Sequence, residues 1–87
     1  MADTPTAAQI AAHFSAMDDS VTLINATVAD DTEALLVFGT AAEVKLMITR
    51  NTDHLELQAT HSWYSDSSKS KTPYTGAVTA GKAYVAG

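Results

Sequence analysis

Residues 43–62 read EVKLMITRNTDHLELQATHS, and the period of that stretch governs how the rest of the chain is read. Val44, Leu46 and Ile48 alternate with Glu43, Lys45, Met47 and Thr49; after them Leu55, Leu57 and Ala59 alternate with Glu56, Gln58 and Thr60. A period of two marks a strand with one face in the core and the other in water. The two arms together predict a β-hairpin, with Ile48 across from Leu55, Leu46 from Leu57 and Val44 from Ala59. Arg50 then faces Asp53, and Asn51 and Thr52 form the tip. Asn tolerates the positive φ of a primed turn, whereas Thr is a poor second residue for it. A slip of one residue would send leucines into solvent, so the buried face pins the register.

On the N-terminal side, Thr4-Pro5 suits a helix start, and Thr6 with Gln9 three residues on offers a second start as a capping box. Ile10, Phe14, Met17 and Val21 then fall at steps of four, three and four, which is one stripe of a helix. Asp18 and Asp19 sit badly at a helix C-terminus, where the dipole prefers cations, so the helix is expected to stop near Met17 or Asp18. Residues 20–28 read either as a bulged strand or as an extension of that helix. A polar turn follows at 29–32, and Glu33 to Phe38, with its continuous run Leu35-Leu36-Val37-Phe38, reads as a central strand.

On the C-terminal side, SDSSKSKT (65–72) and Pro73 form a polar linker. Gly, Thr and Val in the remainder favour extended backbone, either an arm or an edge strand. The expected fold is therefore α+β: one N-terminal helix packed on a four-stranded antiparallel meander sheet, with an extended C-terminal arm or fifth strand. The implied units are a helix-plus-sheet domain (1–64), a polar linker (65–73) and the arm or edge strand (74–87).

Eighty-seven residues suffice for one small core, and the absence of cysteine excludes disulfides, thiolate metal sites and a cysteine nucleophile. The start of the chain does not have the pattern of a signal peptide, and no apolar run is long enough to cross a bilayer. The expected location is the cytoplasm, or an assembled virus particle. The net charge of −5 is unevenly spread. Residues 1–61 hold nine acids against two bases, whereas residues 62–87 hold three lysines against Asp66, together with four of the six aromatics. The chain is an acidic body followed by a mildly basic, aromatic tail.

The search for chemistry finds little. His13, His54 and His61 lack metal-ligand spacing, no serine sits in a nucleophile-elbow context, and the glycines form no phosphate loop. The paired aspartates fall at expected caps and turns, where Asp serves local hydrogen bonds. The expectation is a chain that is not an enzyme, with no cofactor, no metal and no catalytic residue. Two candidate surfaces remain. One is an interaction arm of Trp63, Tyr64, Tyr74, Val78, Lys82 and Tyr84. The other is an acidic face of Asp18, Asp19, Asp30, Asp31 and Glu33.

Aromatics interleaved with Lys69, Lys71 and Lys82 have the ingredients of a single-strand binder, but three lysines supply too little charge for the phosphate term. Nucleic acid and membrane are therefore not the expected partners. The favoured expectation is a protein-interaction or assembly module whose arm docks on copies of itself or in a larger assembly. Small Ala/Thr-rich subunits with extended arms resemble those of viral shells, tubes and decorating layers in general style. The alternative is a small acidic inhibitor that occupies the basic, nucleic-acid-binding surface of a larger enzyme, and the next is weak single-strand binding through the tail.

Overall fold

The computed structural model describes residues 4–87. It is 80% helical, and no strand occurs among the described residues, so the α+β expectation is overturned in favour of a helical bundle. The elements are α1 (Ala7–Ala29), α2 (Thr32–Phe38), α3 (Ala41–Gln58), the single turn α4 (Ser62–Ser65) and α5 (Thr72–Ala86).

Helix α1 begins at the capping box read from the sequence. The Thr6 hydroxyl accepts from the Gln9 N–H at 3.1 Å, and the Gln9 side chain accepts from the Thr6 N–H at 2.9 Å. The helix does not stop at Asp18. Phe14, Met17, Ser20, Ile24 and Thr27 are all buried, so one stripe continues at steps of three and four to the end of the element. Residues 20–28 are thus an extension of the helix, and Asp18 and Asp19 lie in its middle.

The expected central strand at 33–38 is the short helix α2. Asp30 organises the corner before it, accepting from the Thr32 N–H at 3.0 Å and the Thr32 hydroxyl at 2.6 Å. Gly39, at φ 90°, ends the helix in a conformation that side-chain-bearing residues rarely adopt.

The expected hairpin is α3, one continuous helix. Thr40 caps it by accepting from the Glu43 N–H at 3.2 Å. Val44, Met47, Ile48, Thr52 and Leu55 are buried, a helical stripe, while Leu46 and Leu57 of the expected strand faces are 41% and 61% exposed. The residues expected as the hairpin tip bond within the helix instead. Asn51 donates to the Met47 carbonyl and Thr52 to the Thr49 carbonyl, each at 2.9 Å.

The C-terminal segment is neither an arm nor an edge strand. Thr72 and Pro73 open α5, where proline in the first turn removes an N–H that had no partner. Tyr74, Ala77 and Gly81, at steps of three and four, bury one face. Helices α1, α3 and α5 pack pairwise around a core of Phe14, Met17, Ile24, Val44, Ile48, Leu55, Tyr74 and Ala77. Ser20 meets Asn51 and His54, Asp18 meets Tyr74, and Asp31 meets Tyr84. The last two pairs make α1 and α5 run in the same direction; Leu55 and Ala59 lie beside Tyr74 and Val78, and Thr49 and Thr52 beside Lys82 and Val85, so α3 runs against α5. The helices come close at Gly81, where an added Cβ would come within 2.5 Å of the Thr52 methyl. The result is a rod of 44 × 22 × 17 Å.

Candidate interaction surfaces

The arm residues and the acidic residues meet inside one chain. Tyr74, only 2% exposed, donates its hydroxyl to Asp18 Oδ1 at 2.6 Å. Burial, reinforced by the Asp18 carboxylate, drives the Tyr74 pKa far above the ordinary phenol value. Tyr84 donates to Asp31 Oδ2 at 2.9 Å, and its pKa is also raised, first by desolvation and then by that carboxylate. Lys82 pairs with Glu56 at 2.7 Å, the one salt bridge among the described residues, and both side chains are well exposed. The charge asymmetry of the sequence is partly neutralised between α5 and the helices it packs on.

The remaining arm residues cluster around Phe14. Tyr64 is buried, which raises its phenol pKa, and its ring stacks 5.9 Å from Phe14. Trp63 is half-buried and meets Phe14 edge-on at 5.3 Å. His13 and His61 stack on the Trp63 indole at 5.1 and 5.7 Å, with interplanar angles of 17° and 14°. Val78 is half-buried on α5.

The acidic face splits in two. Asp18 and Asp19 lie mid-α1, whereas Asp30, Asp31 and Glu33 gather at the α1–α2 corner, about 18 Å further along at a rise of about 1.5 Å per residue. Asp30 is held below the usual carboxylate range by the Thr32 hydroxyl and N–H.

The sequence reading missed one polar cluster. The Ser20 hydroxyl donates to Asn51 Oδ1 at 2.9 Å and lies 3.0 Å from His54 Nδ1. Asn51 is oriented by its own donation to the Met47 carbonyl, which turns its oxygen toward Ser20. A hydroxyl has one proton to give. With that proton on Asn51, the remaining contact to His54 Nδ1 follows the imidazole tautomer, the ring donating to Ser20 when Nδ1 carries the proton. The cluster links α1 to α3; its members stand 31 and 34 positions apart, so no local motif marks it. No group of three or more His, Cys, Asp or Glu gathers as a metal site among the described residues. No described helix is long and apolar enough to cross a membrane.

Two other surfaces stand out. On α2 only Ala34 and Leu35 pack against the core; Leu36, Val37 and Phe38 are 76%, 66% and 41% exposed. Along the chain these residues are preceded by Glu33 and the corner aspartates and followed by Glu43, in the first turn of α3. At the opposite end, the start of α1 and residues 62–68 enclose an open groove of about 780 Å³ lined by Ile10, Ala11, Phe14 and Trp63. Lys69 lies over the Phe14 ring, its ammonium 5.5 Å from the centroid, and Lys71 stands 5.3 Å from that of Tyr64.

Comparisons with protein-family models, curated proteins and solved structures find no match to the chain.

Proposed function

We propose that this chain is a non-enzymatic protein-interaction module that engages its partner through α2. The observation that carries the reading is the exposure of three consecutive large apolar side chains, Leu36, Val37 and Phe38, on a helix of seven residues. Leaving them in water forgoes the burial that ordinarily stabilises such residues by about 1.5–3 kcal/mol each. Exposed apolar groups rimmed by polar ones are the usual signature of a docking surface. Asp30, Asp31, Glu33 and Glu43 supply that rim, so a partner bringing apolar side chains flanked by cations is the best complement.

The partner is a protein, a second copy or a member of a larger assembly. The C-terminal residues contribute by building the bundle that holds α2 out, since Tyr74, Ala77 and Gly81 are buried in it. The non-enzymatic part of the reading is supported by the Ser20 cluster, whose hydroxyl donates to Asn51 and so ties α1 to α3.

The acidic corner also supports a second reading, an inhibitor that covers a basic surface of a larger protein. The two readings differ in what a substitution does. Val37→Asp abolishes binding to the partner in the first, whereas Glu33→Lys with Glu43→Lys abolishes it in the second and Val37→Asp only weakens it. Affinity capture with the wild-type chain, followed by titration of each variant, separates them. Retention of full affinity by Val37→Asp contradicts the α2 reading.

A further inference from the structure

The two surfaces left open by the bundle are complementary in chemistry and lie at opposite ends of the molecule. The α2 end is a convex apolar helix among four carboxylates (Asp30, Asp31, Glu33 and Glu43), with Lys45 as the nearby base on α3. The other end is a concave groove whose lining holds Phe14, Trp63 and one carboxylate, Asp66; beside that lining Lys69 lies over the Phe14 ring and Lys71 bonds the Ser67 carbonyl. Neither lysine pairs with a carboxylate among the described residues. Lys71 donates instead to the carbonyls of Ser67 and Lys69 at 2.7 and 2.8 Å. The groove, at about 780 Å³, has the volume of sites that take a drug-sized ligand, which is room for two or three large side chains.

We propose that the groove of one copy receives the Leu36-Val37-Phe38 face of the next, so that chains associate head to tail. This rests on the reading of α2 as a docking surface and names its occupant. One chain cannot make the contact with itself. The part of α1 between the groove residues Ile10 and Phe14 and its end at Ala29 separates the two surfaces by on the order of 20–30 Å at about 1.5 Å per residue. A face-to-face pairing of two α2 helices is disfavoured, because it would set one acidic rim against another. Presenting the acidic knob to the groove, which Lys69 and Lys71 flank, avoids setting the two acidic rims together. Knob and groove are different surfaces, so each copy keeps one of each free, and the contact propagates into a ring or an open filament.

The test uses the full chain and two variants that leave the core untouched. Leu36→Asp with Val37→Asp disables the knob at two well-exposed positions, and Ala11→Glu places an acidic side chain in the groove from an exposed position. Circular dichroism and thermal melts first establish that both fold as the wild type does. Sedimentation velocity is then expected to show wild-type species larger than a dimer as concentration rises toward millimolar, weakened at least several-fold by added salt. Each variant alone is expected to be a monomer. Their equimolar mixture is expected to form a dimer and nothing larger, because it holds one intact knob and one intact groove.

A monomeric wild type at millimolar concentration overturns the proposal, and so does self-association of the groove variant alone or a mixture that stays monomeric. The α2 reading is judged separately, by the loss of a foreign partner on Val37→Asp. A wild type that is monomeric but captures such a partner through α2 refutes only the head-to-tail contact.

Discussion

Gly81 and Gly76 sit on the same helix and respond oppositely to the same substitution. At Gly81 a methyl would meet Thr52 at 2.5 Å and the Ile48 and Ile24 methyls at 3.2 and 3.3 Å, three buried side chains with little room to yield. Overpacking of that kind costs about 1–3 kcal/mol, more than the ~1 kcal/mol that alanine contributes to helix propensity. At Gly76 nothing lies within 4 Å. Urea denaturation should therefore show Gly81→Ala destabilised and Gly76→Ala stabilised by up to about 1 kcal/mol. Tyr74 gives a second expectation at this scale. Its phenol pKa is raised in the fold above an ordinary value of 10.0, by burial and by Asp18. The stability this lends is whole below pH 10 and declines as pH rises above it, because the unfolded chain then ionises while the folded one resists. Tyr64 and Tyr84 act in the same direction. Tyr74→Phe should lose about 1 kcal/mol at neutral pH, since Asp18 is at the surface and water replaces its lost donor. Its decline above pH 10 should be shallower than that of the wild type.

Leu55 and Leu57 separate the two readings of residues 43–62. In a hairpin both point into the core; in α3 Leu55 is 1% exposed and Leu57 61%. Leu55→Ala should cost about 2–5 kcal/mol, and Leu57→Gln should stay within about 0.5 kcal/mol of the wild type, both measured by chemical denaturation. The ambiguity had a physical origin. Val44, Ile48 and Leu55 satisfy either period. The residues that distinguish the periods are Met47 and Thr52, which are buried, and Leu46 and Leu57, which are not. Thr49, Asn51, Thr52, Asp53 and His54 are mediocre helix formers with the character of turn residues. They stay helical because Thr49, Asn51 and Thr52 bond to carbonyls of the preceding turn and because two neighbouring helices cover the buried side of α3. Tertiary packing outweighed local preference there. In α1 the capping box and the start of the stripe, Phe14 and Met17, were legible, whereas its continuation through Ser20, Ile24 and Thr27 was not. Of the two aspartates that suggested an end, Asp18 serves the packing by receiving the hydroxyl of Tyr74.

At the scale of the whole molecule, the acidic body and the basic, aromatic tail were visible in the sequence, but their destination was not. Tyr74, Tyr84 and Lys82 meet Asp18, Asp31 and Glu56 across 56, 53 and 26 positions of chain. Once the tail is a helix, its apolar positions face inward and its polar ends reach the acids of α1 and α3. The groove between α1 and residues 62–68 was equally hidden, since it requires the return of the chain at α4 onto the start of α1. The apolar run at 35–38 was legible as apolar and assigned to the interior, whereas three of its four residues face solvent.

Amide chemical shifts of the isotopically labelled full chain, followed as the protein is concentrated, test the account most directly. The predicted result is progressive movement confined to two patches, Leu36 to Phe38 with the neighbouring corner, and the groove residues of α1 together with residues 62–68. Shifts that do not move with concentration, or that move on α5 while α2 stays still, would contradict the head-to-tail contact.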